Sequence, residues 1–201
     1  MTMSPAIRKV ALAAHLTVSV GWVGAVVGYL ALDVTVATSH DPQLVRSAWI
    51  AMGLIASWAI VPLALTALLT GLVMALGTKW GLFRHWWVLI SLVLTVVATV
   101  VLLSETRVIG DGAAIAADPR TSAEQLLAIP STLPHSVGGL VVLLVIQVLN
   151  VHKPQGMTRY GWRKQQQERR EAKLRKEEQQ LTSLVKVPTS KRAPAAHEDH
   201  R

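Results

Sequence analysis

The chain has 201 residues, a formal net charge of +8, 51% hydrophobic residues, seven Trp, one Phe and no Cys. Without Cys, disulfides, thiolate metal centres and thiol catalysis are excluded, and any metal would need His, carboxylate or Met ligands. Charge is concentrated: 13 of the 20 Lys and Arg, but 6 of the 12 acids, lie from Lys153 onward, which suits a basic segment beside an anionic lipid surface rather than a nucleic-acid-binding domain.

Arg8 and Lys9 precede the first long uncharged run, residues 10–32. It is too long for the apolar region of a signal peptide and passes any small-residue cleavage site, so it is expected to remain as a span. Along it, His15, Ser19, Trp22, Val26, Tyr29 and Asp33 recur at spacings of three and four and form one stripe, which predicts a face turned to the interior of a bundle. Gly24 and Gly28 form a small-xxx-small pattern on another side, of the kind that lets two helices approach closely.

After an acidic loop around Asp33 and Asp41, the second run, 47–77, carries Pro62, Thr66, Thr70 and Gly71; Pro62 predicts a kink. The basic turn "GTKWGLFRHWW" leads into the third run, 85–104, where Ser91, Thr95 and Thr99 follow at i, i+4 and i+8. Such a row predicts either interhelical bonds or bonding back to the helix's own carbonyls. Residues 105–130 read as an outer loop, with a short amphipathic helix over 123–129 before Pro130. The fourth run is 131–152.

Each run is about 20 residues or longer, enough to cross ~30 Å of hydrocarbon at 1.5 Å per residue. None shows the polar face of a soluble helix. The expected architecture is therefore all-α: an integral membrane four-helix bundle over 1–152, followed by a basic tail over 153–201. Basic residues flank the first span and the turn between spans two and three, whereas the other two loops are acidic. The alternation places both termini in the cytoplasm. In the tail, "GWRKQQQERREAKLRKEEQQLTSLVK" contains strong helix formers and opposite charges four apart, such as Glu171 and Arg175, and predicts a solvated helix. The Pro- and Ala-containing stretch beyond it predicts disorder. Tyr160 and Trp162 favour a helix lying along the headgroups, with anionic lipid as its partner.

His15, Trp22 and Gly24 in the first span, Pro62, Thr66 and Gly71 in the second, and "RHWW" opening the third resemble a superfamily of small bacterial membrane bundles. It includes the copper-resistance D-type proteins, the haem-b membrane protoporphyrinogen oxidases and a large uncharacterised four-span integral membrane family, the most similar of the three. The resemblance covers roughly residues 8–164, including "KPQGMTRYGWRK". It implies a multi-pass protein of the bacterial cytoplasmic (inner) membrane, with haem b as cofactor, His15 and His85 as ligands of the haem iron, and Trp22 and Gly24 beside it. In the oxidases a Lys follows the third-span Trp by four residues; counted from Trp87, that place is Ser91, which sets oxidase activity aside.

Depth limits the partners of His15, which lies about 10 Å above Arg8 on a straight helix, whereas His135 lies about 27 Å above Lys153. His85, next to Arg84, is closer in level. The other reading of His85, with Trp80, Trp86 and Trp87 around it, is an interfacial aromatic belt. No nucleophile with its base, phosphate loop or paired-carboxylate site is present, so the sequence names no catalytic residue. Two non-haem readings stand beside the first. One is a scaffold or assembly subunit acting through its basic tail on a protein partner or a second copy. The other is a small transporter lined by His15, Asp33, Gln147 and Asn150, for which four spans without an internal repeat are thin material.

Overall fold

The computed structural model describes residues 3–77, 82–154 and 156–185. Lys79 and Trp80 of the basic turn, and the expected disordered stretch from residue 186 onward, lie outside the described residues. The chain divides into two units, residues 1–158 and 159–201.

The first unit is built from helices α1 (Pro5–Thr38), α2 (Pro42–Ile55), a π-helical turn (Ala56–Ile60), α3 (Val61–Gly77), α4 (Trp86–Ala117), the short α5 (Ala123–Leu127) and α6 (Leu133–His152). Helix starts follow local chemistry. Ser4 accepts from the Ile7 N–H at 3.4 Å and Asp41 from the Gln43 N–H at 2.9 Å, each with Pro as the next residue, where a missing N–H costs nothing. Ser122 and Gln125 close a reciprocal capping box on α5. Four stretches, Pro5–Thr38, Pro42–Gly77, Trp86–Ala117 and Leu133–His152, are long and apolar enough to cross a membrane. Leu, Val and Ile side chains remain exposed around them, as expected where the solvent is hydrocarbon. The fold is an all-α membrane helical bundle.

The spans differ from their sequence outlines in two places. The expected outer loop over 105–130 is helical as far as Ala117, so the connection is a short segment around α5. The kink expected at Pro62 is distributed over the π-helical turn preceding it, where the Val61 N–H bonds to the Ala56 carbonyl. Pro62 has no N–H for the Trp58 carbonyl four residues back, and its ring would crowd that carbonyl; widening the turn relieves both.

Helix α1 packs on α2, α3 and α6, α2 on α4, and α4 on α3 and α6. The core joins Trp22, Val26 and Tyr29 of α1 to Trp49 and Met52 of α2, Ile60, Ile109 of α4, and Leu143 and Ile146 of α6. Close approach occurs where α2 meets α4: a Cβ on Gly112 would lie 2.6 Å from the Trp49 ring, and one on Gly53 would lie 2.6 Å from Ala113 Cβ. Arg46 ties the same pair together, donating to the carbonyls of Ala116, Asp118 and Thr121. It satisfies the open C-terminal end of α4 and sets a positive charge against its dipole. By contrast, a Cβ on Gly24 or Gly28 would meet nothing within 4 Å. The small-xxx-small face predicted for close approach is exposed within this chain.

The compact unit that holds the bundle extends to Thr158. Lys153 closes α6 in the left-handed conformation, φ 44°, and the chain then runs beside the start of α4. The Trp86 N–H bonds to the Gly156 carbonyl at 3.3 Å, the Thr158 N–H to the Arg84 carbonyl at 3.1 Å, and His85 forms an isolated antiparallel bridge with Met157. The second unit contains α7 (Arg159–Val185), the helix expected from its composition. Its side-chain pairs include Gln167 with Glu171 at 3.3 Å and Lys173 with Glu177 at 3.9 Å, the i to i+4 spacing of a solvated helix.

Candidate functional site

The α1 stripe emerges as predicted: Trp22, Val26, Tyr29 and Asp33 are buried, and His15 and Ser19 are half-buried. Its lower end meets α3. His15 Nδ1 lies 3.0 Å from Thr70 Oγ1, which is also 2.7 Å from the Thr66 carbonyl, to which it donates. A hydroxyl has one proton. Two carbonyls, of Thr66 at 2.7 Å and Ala67 at 3.2 Å, compete for that proton, and in the tautomer with hydrogen on Nδ1 Thr70 accepts from His15 while Nε2 keeps its lone pair. Gly71 makes room for the ring, since a Cβ there would come within 3.2 Å of His15 Cε1. A threonine bonding back one turn and a glycine next to it thus orient one imidazole.

The other residues named with His15 have contacts of their own. His85 caps α4, bridges to Met157, and its ring centroid is 6.5 Å from that of Trp87. Trp22 faces the core, and Gly24 is exposed on another side of α1. Among the described residues no group of three or more His, Asp or Glu side chains could hold a bare metal ion.

The upper end of the stripe carries a cluster of which the sequence offered only Asp33 and Tyr29. Asp33 is fully buried and accepts three hydroxyl bonds: from Ser131 at 3.0 Å, Thr132 at 2.9 Å and Ser136 at 2.8 Å. Tyr29 Oη lies 2.8 Å from Thr132 Oγ1. The "PSTLPHS" segment opening α6 delivers all three hydroxyls, because Ser131 and Thr132 precede the helix and Ser136 is one turn inside it. A carboxylate in a span normally requires partners; here they are hydroxyls from one short segment. A Ser/Thr group of this kind opposite a lone Asp was the available sequence signal.

Next to this cluster lies a half-open cavity of about 90 Å³. Trp22, Val26 and Tyr29 form one wall, Ala56 and Ile60 a second, α4 from Ala98 to Ile109 a third, and α6 from His135 to Leu143 the last. Glu105 and His135 stand at its polar end, with His135 Nε2 3.6 Å from Glu105 Oε1. Nothing in the sequence joins these two, since residues 105–130 read as an outer loop.

Outside the spans, Asp118 closes α4, and the Arg120 guanidinium, 2.9 Å from Asp118 Oδ2, holds its carboxyl below the ordinary aspartate value while the Arg120 value is raised. Comparison with protein-family models, curated proteins and solved structures finds no match to this chain. Fold and sites therefore define it as a multi-pass, all-α membrane helical bundle.

Proposed function

We propose that this is a multi-pass protein of the bacterial cytoplasmic membrane, with both termini inside, that carries haem b on His15. The observation that supports the reading is the contact of His15 Nδ1 with Thr70 Oγ1 at 3.0 Å, which orients the ring and, in the tautomer with hydrogen on Nδ1, leaves the Nε2 lone pair for iron. An imidazole held through its other nitrogen is the usual arrangement of a metal-ligating histidine. A bare ion would need several side chains, which the described residues do not assemble; a haem brings four nitrogens and asks for one axial imidazole. The residues at hand fit that demand. His15 would be the ligand, Thr70 would orient it, Gly71 would give its ring space, and the haem would supply redox or ligand-binding iron. Trp22 holds the buried side of the same stripe. His85, engaged at the start of α4, is not needed as a second ligand.

Absorbance of detergent-purified protein from cells given a haem precursor tests the proposal. The expected result is a Soret band, lost in His15→Ala and weakened in Thr70→Val. A colourless preparation, or a band that survives His15→Ala, overturns it.

A second reading, a scaffold acting through its tail, is favoured by one observation: α7 is 27 residues long, and from Gln166 to Ser183 its side chains are exposed. On that reading its Lys and Arg meet anionic headgroups, and a protein partner or a second copy docks along the helix.

A further inference from the structure

The cavity enclosed by α1, the π-helical turn, α4 and α6 is apolar over most of its wall and polar at one end, and neither His15 nor His85 lines it. At about 90 Å³ it is a narrow space, suited to a slender chain rather than a bulky ring system. What it can recognise follows from counting protons. Ser131, Thr132 and Ser136 each own one hydroxyl proton, and each gives it to Asp33. Thr132 then has only a lone pair for Tyr29, so the phenol donates to Thr132.

Every hydroxyl proton of the cluster thus runs towards Asp33. Tyr29, Thr132 and Ser136, which line the cavity, keep only oxygen lone pairs for a ligand. Glu105, a fourth lining group, is acceptor-only as a carboxylate. His135 already directs Nε2 at Glu105. The Trp22 Nε1–H is an unpaired donor on the same wall, about 10 Å along α1 from Tyr29; at the Glu105 end a ligand with an anionic or purely accepting head would meet oxygens that repel it. One with N–H donors and a positive charge would meet a carboxylate and several hydroxyl oxygens where the low dielectric strengthens the attraction. The Trp22 and Tyr29 rings add faces on which a cation is also favoured.

We propose that this cavity binds a lipophilic cation: an apolar body that fills the space between α1, α4 and α6, with a protonated amine held by Glu105 and by the oxygens of Tyr29 and Ser136. Such a molecule partitions into the bilayer before it binds, so a site within the spans is where it would be met. A Cβ on the cavity-lining Gly139 would meet nothing within 4 Å, so a larger side chain there can enter the space.

The test uses the full chain in phosphatidylcholine nanodiscs and radiolabelled decylamine at neutral pH, with empty discs subtracted. Decyl sulfate and decanol serve as competitors of equal chain length. The expected result is saturable amine binding that neither competitor displaces, weakened tenfold or more in Glu105→Gln, largely kept in Glu105→Asp and lost in Gly139→Leu. Leu143→Phe, which fills the same space from one turn further along α6, repeats the last arm if Gly139→Leu unfolds early. Three results would each overturn the proposal: no saturable binding above empty discs, displacement by the sulfate or the alcohol, or full binding in folded cavity-filling variants.

Discussion

A single methyl group added at Gly112 tests how the extended ends of α2 and α4 are held together. The Cβ of Gly112→Ala would stand 2.6 Å from Trp49 Cζ3, 2.8 Å from Cε3 and 3.0 Å from Cη2. Ordinary carbon contacts lie near 3.5–4.0 Å. The indole is fully buried, so it cannot swing into solvent, and either the ring or α4 must move by about 1 Å. Overpacking of this kind costs about 1–3 kcal/mol, partly offset by the gain of up to about 1 kcal/mol for replacing Gly by Ala inside a helix. With a mid- to upper-range packing cost of about 2–3 kcal/mol, as a fully buried ring implies, the net expectation is a loss of about 1–2 kcal/mol. The matched control is Gly28→Ala, where the new Cβ meets nothing and only the helix gain remains, so that variant should be neutral or slightly more stable. Trp49→Phe removes the ring atoms in the way, and Gly112→Ala should cost less in that background, a coupling that a double-mutant cycle measures. Denaturant unfolding in mixed micelles, followed by far-UV circular dichroism, supplies the values. Equal stability of Gly112→Ala and wild type, or equal effects at Gly112 and Gly28, would refute the close packing of α2 on α4.

Asp33→Asn replaces one accepting oxygen by an amide donor facing three hydroxyls that all donate, and should destabilise the bundle by about 1–3 kcal/mol, the cost of a buried polar group left without its partner; unfolding midpoints indistinguishable from wild type would show that the cluster is not closed. Arg46→Lys keeps the charge but not the fork that reaches the Ala116, Asp118 and Thr121 carbonyls, and hydrogen exchange at the end of α4 should rise even though the charge is conserved. Because Arg120 lowers the Asp118 carboxyl value, this pair stabilises the fold above the ordinary aspartate value of about 4 and loses that contribution as pH falls through the lowered one. Asp118→Asn should therefore have a constant small effect from pH 5 to 8 that fades below pH 4, whereas a dependence centred near pH 7 would contradict the assignment. Reporter fusions after Thr121 and after Gln180 should signal opposite sides of the membrane, and matching signals would contradict the four-span topology.

Uncharged runs of about 20 residues identified the four spans because in hydrocarbon a helix must satisfy every backbone group internally. That requirement is local, and so is its signature. Three- and four-residue spacing likewise picked out the buried face of α1, and the polar helix formers after Arg159 marked α7. The sequence could not say which neighbour each face would meet. Arg46 and the α4 carbonyls are about 70 residues apart, and Asp33 and its hydroxyls about 100; such pairs exist only once the helices are docked. The same holds for the glycines. Gly24 and Gly28 had the pattern of a packing face yet are exposed, whereas Gly53 and Gly112, in no recognisable pattern, accept Ala113 and Trp49, and Gly71 accepts His15. A glycine offers space in either case, and which side chain enters it is set by the crossing of two helices, a property of the tertiary structure alone.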